Sequence, residues 1–217
     1  MAYKQLILPE PEKLSTDRAM AIIYRPKDEM FGVKMGQFLM QRKDATYYPE
    51  FAGKLTFFGT QVYQKNETIE EALLRSGTEV LDGEIPEKAL LRSGTKLRKE
   101  ETARSALARR LHKEIPVVAD KILGKTWQWQ GHHLPRQQIP GEYYCDIFVR
   151  IVRDFKEMED ILYGVRGKGT KQGIPETLAR EEVERMIRTS DDDFMMGAGI
   201  AAKDFLTALD AGVFDHL

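Results

Sequence analysis

Glu67, Glu84 and Glu101 stand 17 residues apart, and each is followed eight residues later by an arginine: Arg75, Arg92 and Arg109. Each arginine closes a similar run, ALLR at 72–75, ALLR at 89–92 and ALAR at 106–109, and the first two copies continue into SGT. This repeat constrains the fold more than any other feature, because like sequences call for like local structure. Ala72, Leu73 and Leu74 are strong helix formers, and Ser76-Gly77 supplies a stop. The second copy has Pro86 near its helix start, where proline is tolerated, and its own Ser93-Gly94 stop. The third, Glu100 to Ile115, carries Ala103, Leu107, Leu111 and Ile115 at every fourth position, an apolar stripe that ends at Pro116.

The rest of the chain alternates strands with helices. MAIIY at 20–24, GQFLMQR at 36–42, LTFF at 55–58, WQW at 127–129 and YYCDIFVRIV at 143–152 read as strands. GHHLPRQQIPGE at 131–142 and the glycine-rich GVRGKGTKQGIP at 164–175 read as loops, Leu178 to Arg188 and Ala198 to Leu209 as helices, and Asp191 to Asp193 as an acidic turn. Strands and helices in this order imply a mixed sheet covered on both faces. Residues 1–17 read as an N-terminal arm, followed by one domain over 18–217 with a repeat insertion at about 76–100.

Composition removes several classes of function. Lys and Arg number 33 against 34 Asp and Glu, a net charge of −1, so there is no strong nucleic-acid signal. No apolar run approaches the length of a membrane-spanning helix, and the first residues lack the pattern of a secretory signal. The single cysteine, Cys145, excludes an internal disulfide framework, and a cytoplasmic location is the expectation.

The segment GKLTFFGTQVYQKNETIEEALLR at 53–75 resembles the entry to the box of the Nudix hydrolases. In that family a strand ends in a glycine turn, followed by a Glu, seven residues, and an Arg-Glu-aliphatic-x-Glu-Glu-x-Gly-aliphatic run. The box lies on this chain in two registers. From Gly59-Thr60 the pair is Glu67 and Arg75, but SGTEVL follows instead of acids. From Gly94-Thr95 the pair is Glu101 and Arg109, and the run is RRLHKEIPV at 109–117, which keeps Arg109, Leu111, Glu114 and Val117. A duplication within the box, adding two 17-residue units, accounts for both. The resemblance implies an α/β fold, a Nudix-like α/β/α sandwich around a mixed β-sheet.

It also implies where chemistry belongs. Positions i, i+3 and i+4 share one helix face, and three carboxylates there hold Mg²⁺ or Mn²⁺ against a diphosphate. In this chain those positions are Arg110, Lys113 and Glu114. Glu114 is the one residual metal-ligand candidate, with Glu101 a second catalytic candidate, and Arg110 at i and Glu114 at i+4 are set to pair with each other. Glu67, Glu70 and Glu71 are the acids from which an added helix could rebuild a metal site, or they simply favour their helix dipole. Arg109, Arg110 and Lys113 are candidates to face a phosphate, and Trp127, Trp129, Tyr143 and Tyr144 either to stack on a base or, as strand aromatics more often do, to pack in the core. His132 and His133, being adjacent, do not share a metal.

Two functions follow. One is a hydrolase that cleaves a nucleoside diphosphate linked to another moiety, using Mg²⁺ or Mn²⁺. The other is a catalytically inactive domain that binds a nucleotide or a protein and needs no cofactor. Both take a nucleotide-type small molecule rather than a membrane as partner, and a homo-oligomer is compatible with either.

Overall fold

The protein is seen here as a computed structural model that describes residues 17–27, 36–46, 49–63, 65–81, 84–135, 142–165, 173–195 and 197–217. The N-terminal arm and most of the glycine-rich loop at 164–175 therefore fall outside the described residues.

Strand β1 (Arg18–Arg25) organises the sheet. It runs parallel to β6 (Glu142–Ile151), pairing Met20 with Ile147. Its other edge is shared: antiparallel β4 (Phe58–Gln61) takes residues 18–21 and antiparallel β2 (Gln37–Arg42) takes residues 23–25. Beyond these lie β3 (Leu55–Thr56) and β7 (Ile174–Ala179) on β2, and β5 (Trp127–Pro135) on β6, which makes a mixed seven-stranded sheet.

Alternation along β1 divides the core in two, because successive side chains leave a strand on opposite faces. Met20, Ile22 and Tyr24 pack with Val183 of α6 (Arg180–Thr189) and Phe205 of α7 (Ala198–Asp210). Ala19, Ala21 and Ile23 pack under α3 (Ala103–Glu114), α4 (Ala119–Leu123) and α5 (Phe155–Val165), through Leu107, Leu111, Ile122 and Met158. The expected α/β/α sandwich around a mixed sheet is the architecture observed.

The repeat forms three short helices. In α1 (Ile69–Ser76), Thr68 and Glu71 make a capping box, and Gly77 closes the helix at φ 66°. Helix α2 (Pro86–Ser93) opens on its proline and closes on Gly94, again at φ 66°. That left-handed conformation favours glycine and satisfies the last carbonyls, so each Ser-Gly stop works as its sequence implies. Unlike α3, neither α1 nor α2 contributes to the two main cores.

Two segments differ from the expectation. Residues 131–135, read as loop, continue β5 across a bulge, and His132 and His133 sit on that strand opposite Cys145 and Tyr144. Residues 174–179, with a Pro-Glu-Thr sequence of weak strand propensity, form β7 because β2 offers its unpaired edge.

Candidate functional site

Each Glu-x7-Arg pair folds into the same clip. In the third, the Glu101 N–H donates to the Tyr63 carbonyl at 3.0 Å, and the Tyr63 N–H donates back to the Glu101 carboxylate at 3.3 Å. Arg109 reaches the same carboxylate with Nε at 3.0 Å and Nη2 at 2.6 Å, and Nη2 also donates to the Gln61 carbonyl at 3.0 Å. Eight residues of spacing bring an arginine two turns into a helix back over the glutamate that precedes that helix, and the planar guanidinium fits the carboxylate edge-on.

The other two clips repeat this bonding with different loops. Glu84 and Arg92 hold Leu81 and the Glu79 carbonyl, just ahead of them in the chain. Glu67 and Arg75 hold Arg98 and the Lys96 carbonyl, some 30 residues further along. Residues 79–81 and 96–98 are one repeat apart. The unit 67–83 therefore grips the loop of unit 84–100, and unit 84–100 grips the loop of unit 67–83. The exchange is reciprocal, and it leaves Tyr63 to meet Glu101 across the base of the added pair. These arginines and the neighbouring Arg98 N–H hold the Glu67 carboxyl down at about 2, with Arg75 the main cause.

The third clip anchors α3 beside a cleft of about 350 Å³ at the ends of β1, β3, β4 and β6. Arg18, Lys43, Arg109, Arg110 and Lys113 line it, and no carboxylate does so among the described residues. Gly59 forms part of its wall where β4 passes β1: a Cβ there would lie 3.3 Å from the Ala19 carbonyl oxygen. Burial, followed by the Arg110 charge, lowers the Lys43 ammonium to about 8, against the opposing pull of Glu114.

The positions on α3 that the resemblance offered as metal ligands, i and i+4, are taken by an ion pair. Arg110 is paired with Glu114 across one turn, with the Glu114 side chain 3% exposed. The Gln41 amide donates to the same carboxylate at 3.1 Å. Burial pushes the Glu114 carboxyl above its usual range, with Arg110 and Gln41 opposing. No cluster of three metal-binding side chains exists among the described residues. Glu67 is held by Arg75, Glu71 by Lys65 and its capping box, and Glu70 is exposed on α1, so none of the three extra acids lines the cleft beside α3. These residues do not fit a divalent cation.

The structure brings together Glu101, Arg109, Arg110, Lys113 and Glu114. It does not bring the tryptophans to them. Trp127 and Trp129 are half-buried and lie edge-on to Phe214, at 5.9 and 5.4 Å between centroids, outside the lining of the cleft. His132 pairs with Asp204 at 3.2 Å and packs on Trp129. Asp191–Asp193 make a 3₁₀ turn, with Asp192 3.8 Å from Lys54. Arg18, Lys43 and Tyr63 went unnoticed in the sequence. Arg18 and Lys43 lie at strand ends that only the sheet gathers to one place.

No protein-family model matches the chain, and no curated protein matches its sequence. Among solved structures it is similar to the Nudix domain of Shewanella oneidensis NrtR, complexed with ADP-ribose. That similarity has 9% identity over 91% of this chain and 90% of that one, with a TM-score of 0.50. It is also similar to a Nudix hydrolase from Alicyclobacillus acidocaldarius, with 10% identity over 88% and 91% and a TM-score of 0.48. The chain thus has the fold of the Nudix superfamily. Within that fold it carries three Glu-x7-Arg clips and a buried Arg110–Glu114 ion pair on α3.

Proposed function

We propose that this chain binds a phosphorylated nucleotide in the α3 cleft without metal-dependent hydrolysis. The observation that carries the reading is a cleft lined by five cationic side chains and no carboxylate among the described residues, with Arg110 of that lining paired to the buried Glu114 behind it. A hydrolase would need Arg110 to leave Glu114 and further carboxylates to arrive. Breaking a buried pair costs about 3–5 kcal/mol, and a divalent cation would then face Lys113 and Lys43. A diphosphate needs no such rearrangement, since it brings the negative charge these side chains favour. The ADP-ribose bound to the similar NrtR domain supplies the first ligand to try.

The experiment is calorimetric titration with ADP-ribose in EDTA and again in Mg²⁺, alongside a phosphate-release assay with both Mg²⁺ and Mn²⁺. Equal binding in EDTA and Mg²⁺ with no release is the expected result. Metal-dependent turnover would overturn the reading.

A further inference from the structure

The added units do more than stand beside the cleft. Between them and α3 runs a second, shallower groove of about 540 Å³, lined by Arg75, Lys96, Arg98, Lys99 and Arg109 against two carboxylates, Glu100 and Glu101. Tyr63 and Arg109 line both the groove and the cleft. Arg98 and Arg109 both lie over the Tyr63 ring, at 4.7 and 4.4 Å from its centroid. The two basic surfaces are thus continuous across one tyrosine.

The clips leave donors for a ligand. In Arg75 and Arg109 the clip engages Nε and Nη2, and the two Nη1 protons of each take no part in it. Lys96 and Lys99 contribute ammonium groups on exposed residues. The reciprocal exchange brings this cationic set together: gripping the 96–98 loop places Lys96, Arg98 and Arg75 side by side, although Arg75 and Lys96 belong to different units. Like charges gathered beside an anion cleft attract more anion, and phosphate oxygens suit the guanidinium groups best.

We propose that the repeat insertion builds a second phosphate subsite, so that the ligand is a polyanion whose phosphates extend past one diphosphate, from the cleft across Tyr63 into the groove. The proposal rests on the anion-binding reading of the cleft and deepens it.

The test compares inorganic pyrophosphate, a linear polyphosphate and ADP-ribose, titrated calorimetrically into the full chain at several salt concentrations. The variants are Lys96→Glu/Lys99→Glu and, should that charge reversal impair folding, Lys96→Ala/Lys99→Ala. Neither alters a clip side chain. Polyphosphate affinity is expected to fall about tenfold or more in the variant while pyrophosphate affinity changes less than about twofold. The slope of log affinity against log salt should shrink by about 1–2 as two phosphate contacts are lost. Polyphosphate binding that ignores the substitutions, or equal losses for both phosphates, overturns the subsite. The two readings fail separately: absence of ADP-ribose binding overturns the cleft reading, while the response of polyphosphate to the variants decides the groove.

Discussion

The clip at the base of α3 and the two clips of the added units share one bonding pattern in two settings. The third closes a helix whose Ala106, Leu107 and Leu111 are fully buried against the sheet. The added helices bury little more than Ala72, Leu73 and Ala89, and leave Leu74 and Leu91 85% and 80% exposed. A bidentate Glu–Arg clip therefore needs no sheet and no chemistry to form. It is a local device for turning a loop into a helix, and its surroundings decide whether it holds up a site. In α3 it fixes the approach of Arg110 and Lys113 to the cleft, whereas in the added pair it knits two units to each other.

Arg110→Ala tests the α3 side most severely. It strands Glu114 in a buried site and should destabilise the fold by about 3–5 kcal/mol in denaturant unfolding. A loss under about 1 kcal/mol would mean that the pair is not what holds that helix face.

The next contrast sets matched clips against each other. Glu101→Ala removes the acceptor for Arg109 and for the Tyr63 N–H, and about 2–3 kcal/mol of global stability should go with it. Glu84→Ala removes the same bonds from a clip whose helix lies outside the two main cores and should leave the global midpoint unchanged, while speeding amide exchange over 84–98. Equal global losses would show that the added pair is part of the main cooperative unit.

Deletions probe the exchange itself. Removal of 67–100 joins Asn66 to Glu101 and keeps the Tyr63–Glu101 clip, so a folded monomer melting within a few degrees of the parent is expected. Removal of 84–100 alone takes away the unit that the Glu67–Arg75 clip grips and should drive exchange with a second molecule, visible as a dimer by light scattering. A folded monomer from the single deletion would break the reciprocal picture.

The smallest effect concerns pH. The Lys43 charge is lost as pH rises through about 8, so nucleotide affinity should fall several-fold between pH 7 and 9.5. Because its folded-state value lies below the unfolded one, the unfolded chain binds more protons across that window. Stability should therefore rise with pH there while affinity drops. Lys43→Gln should flatten both trends.

Much of this architecture is legible in the residues. The unbroken apolar run MAIIY marks a strand core, which the sheet buries on both faces, and the spacing of Ala103, Leu107, Leu111 and Ile115 marks the face of α3 that meets it. The pairing of Arg110 with Glu114 follows from one helical turn. Strand β7 was illegible because its pairing comes from a partner more than 130 residues away, whereas the tryptophans pack as strand aromatics commonly do, into the layer they face. The basic run at 96–99 was visible, but nothing local shows that it lies against Tyr63.

The residues alone set the Glu-x7-Arg spacing, and in all three units that spacing brings each Glu to its own Arg across one loop and two helical turns. Which loop each clip holds is another matter. Glu84 takes the neighbouring Leu81, while Glu67 takes Arg98 and Glu101 takes Tyr63. The repeats offer near-identical partners to every clip, so local preference cannot choose among them. The choice falls to the tertiary structure, where α3 is fixed on the sheet beside β4 and the added units can satisfy their clips only by gripping each other.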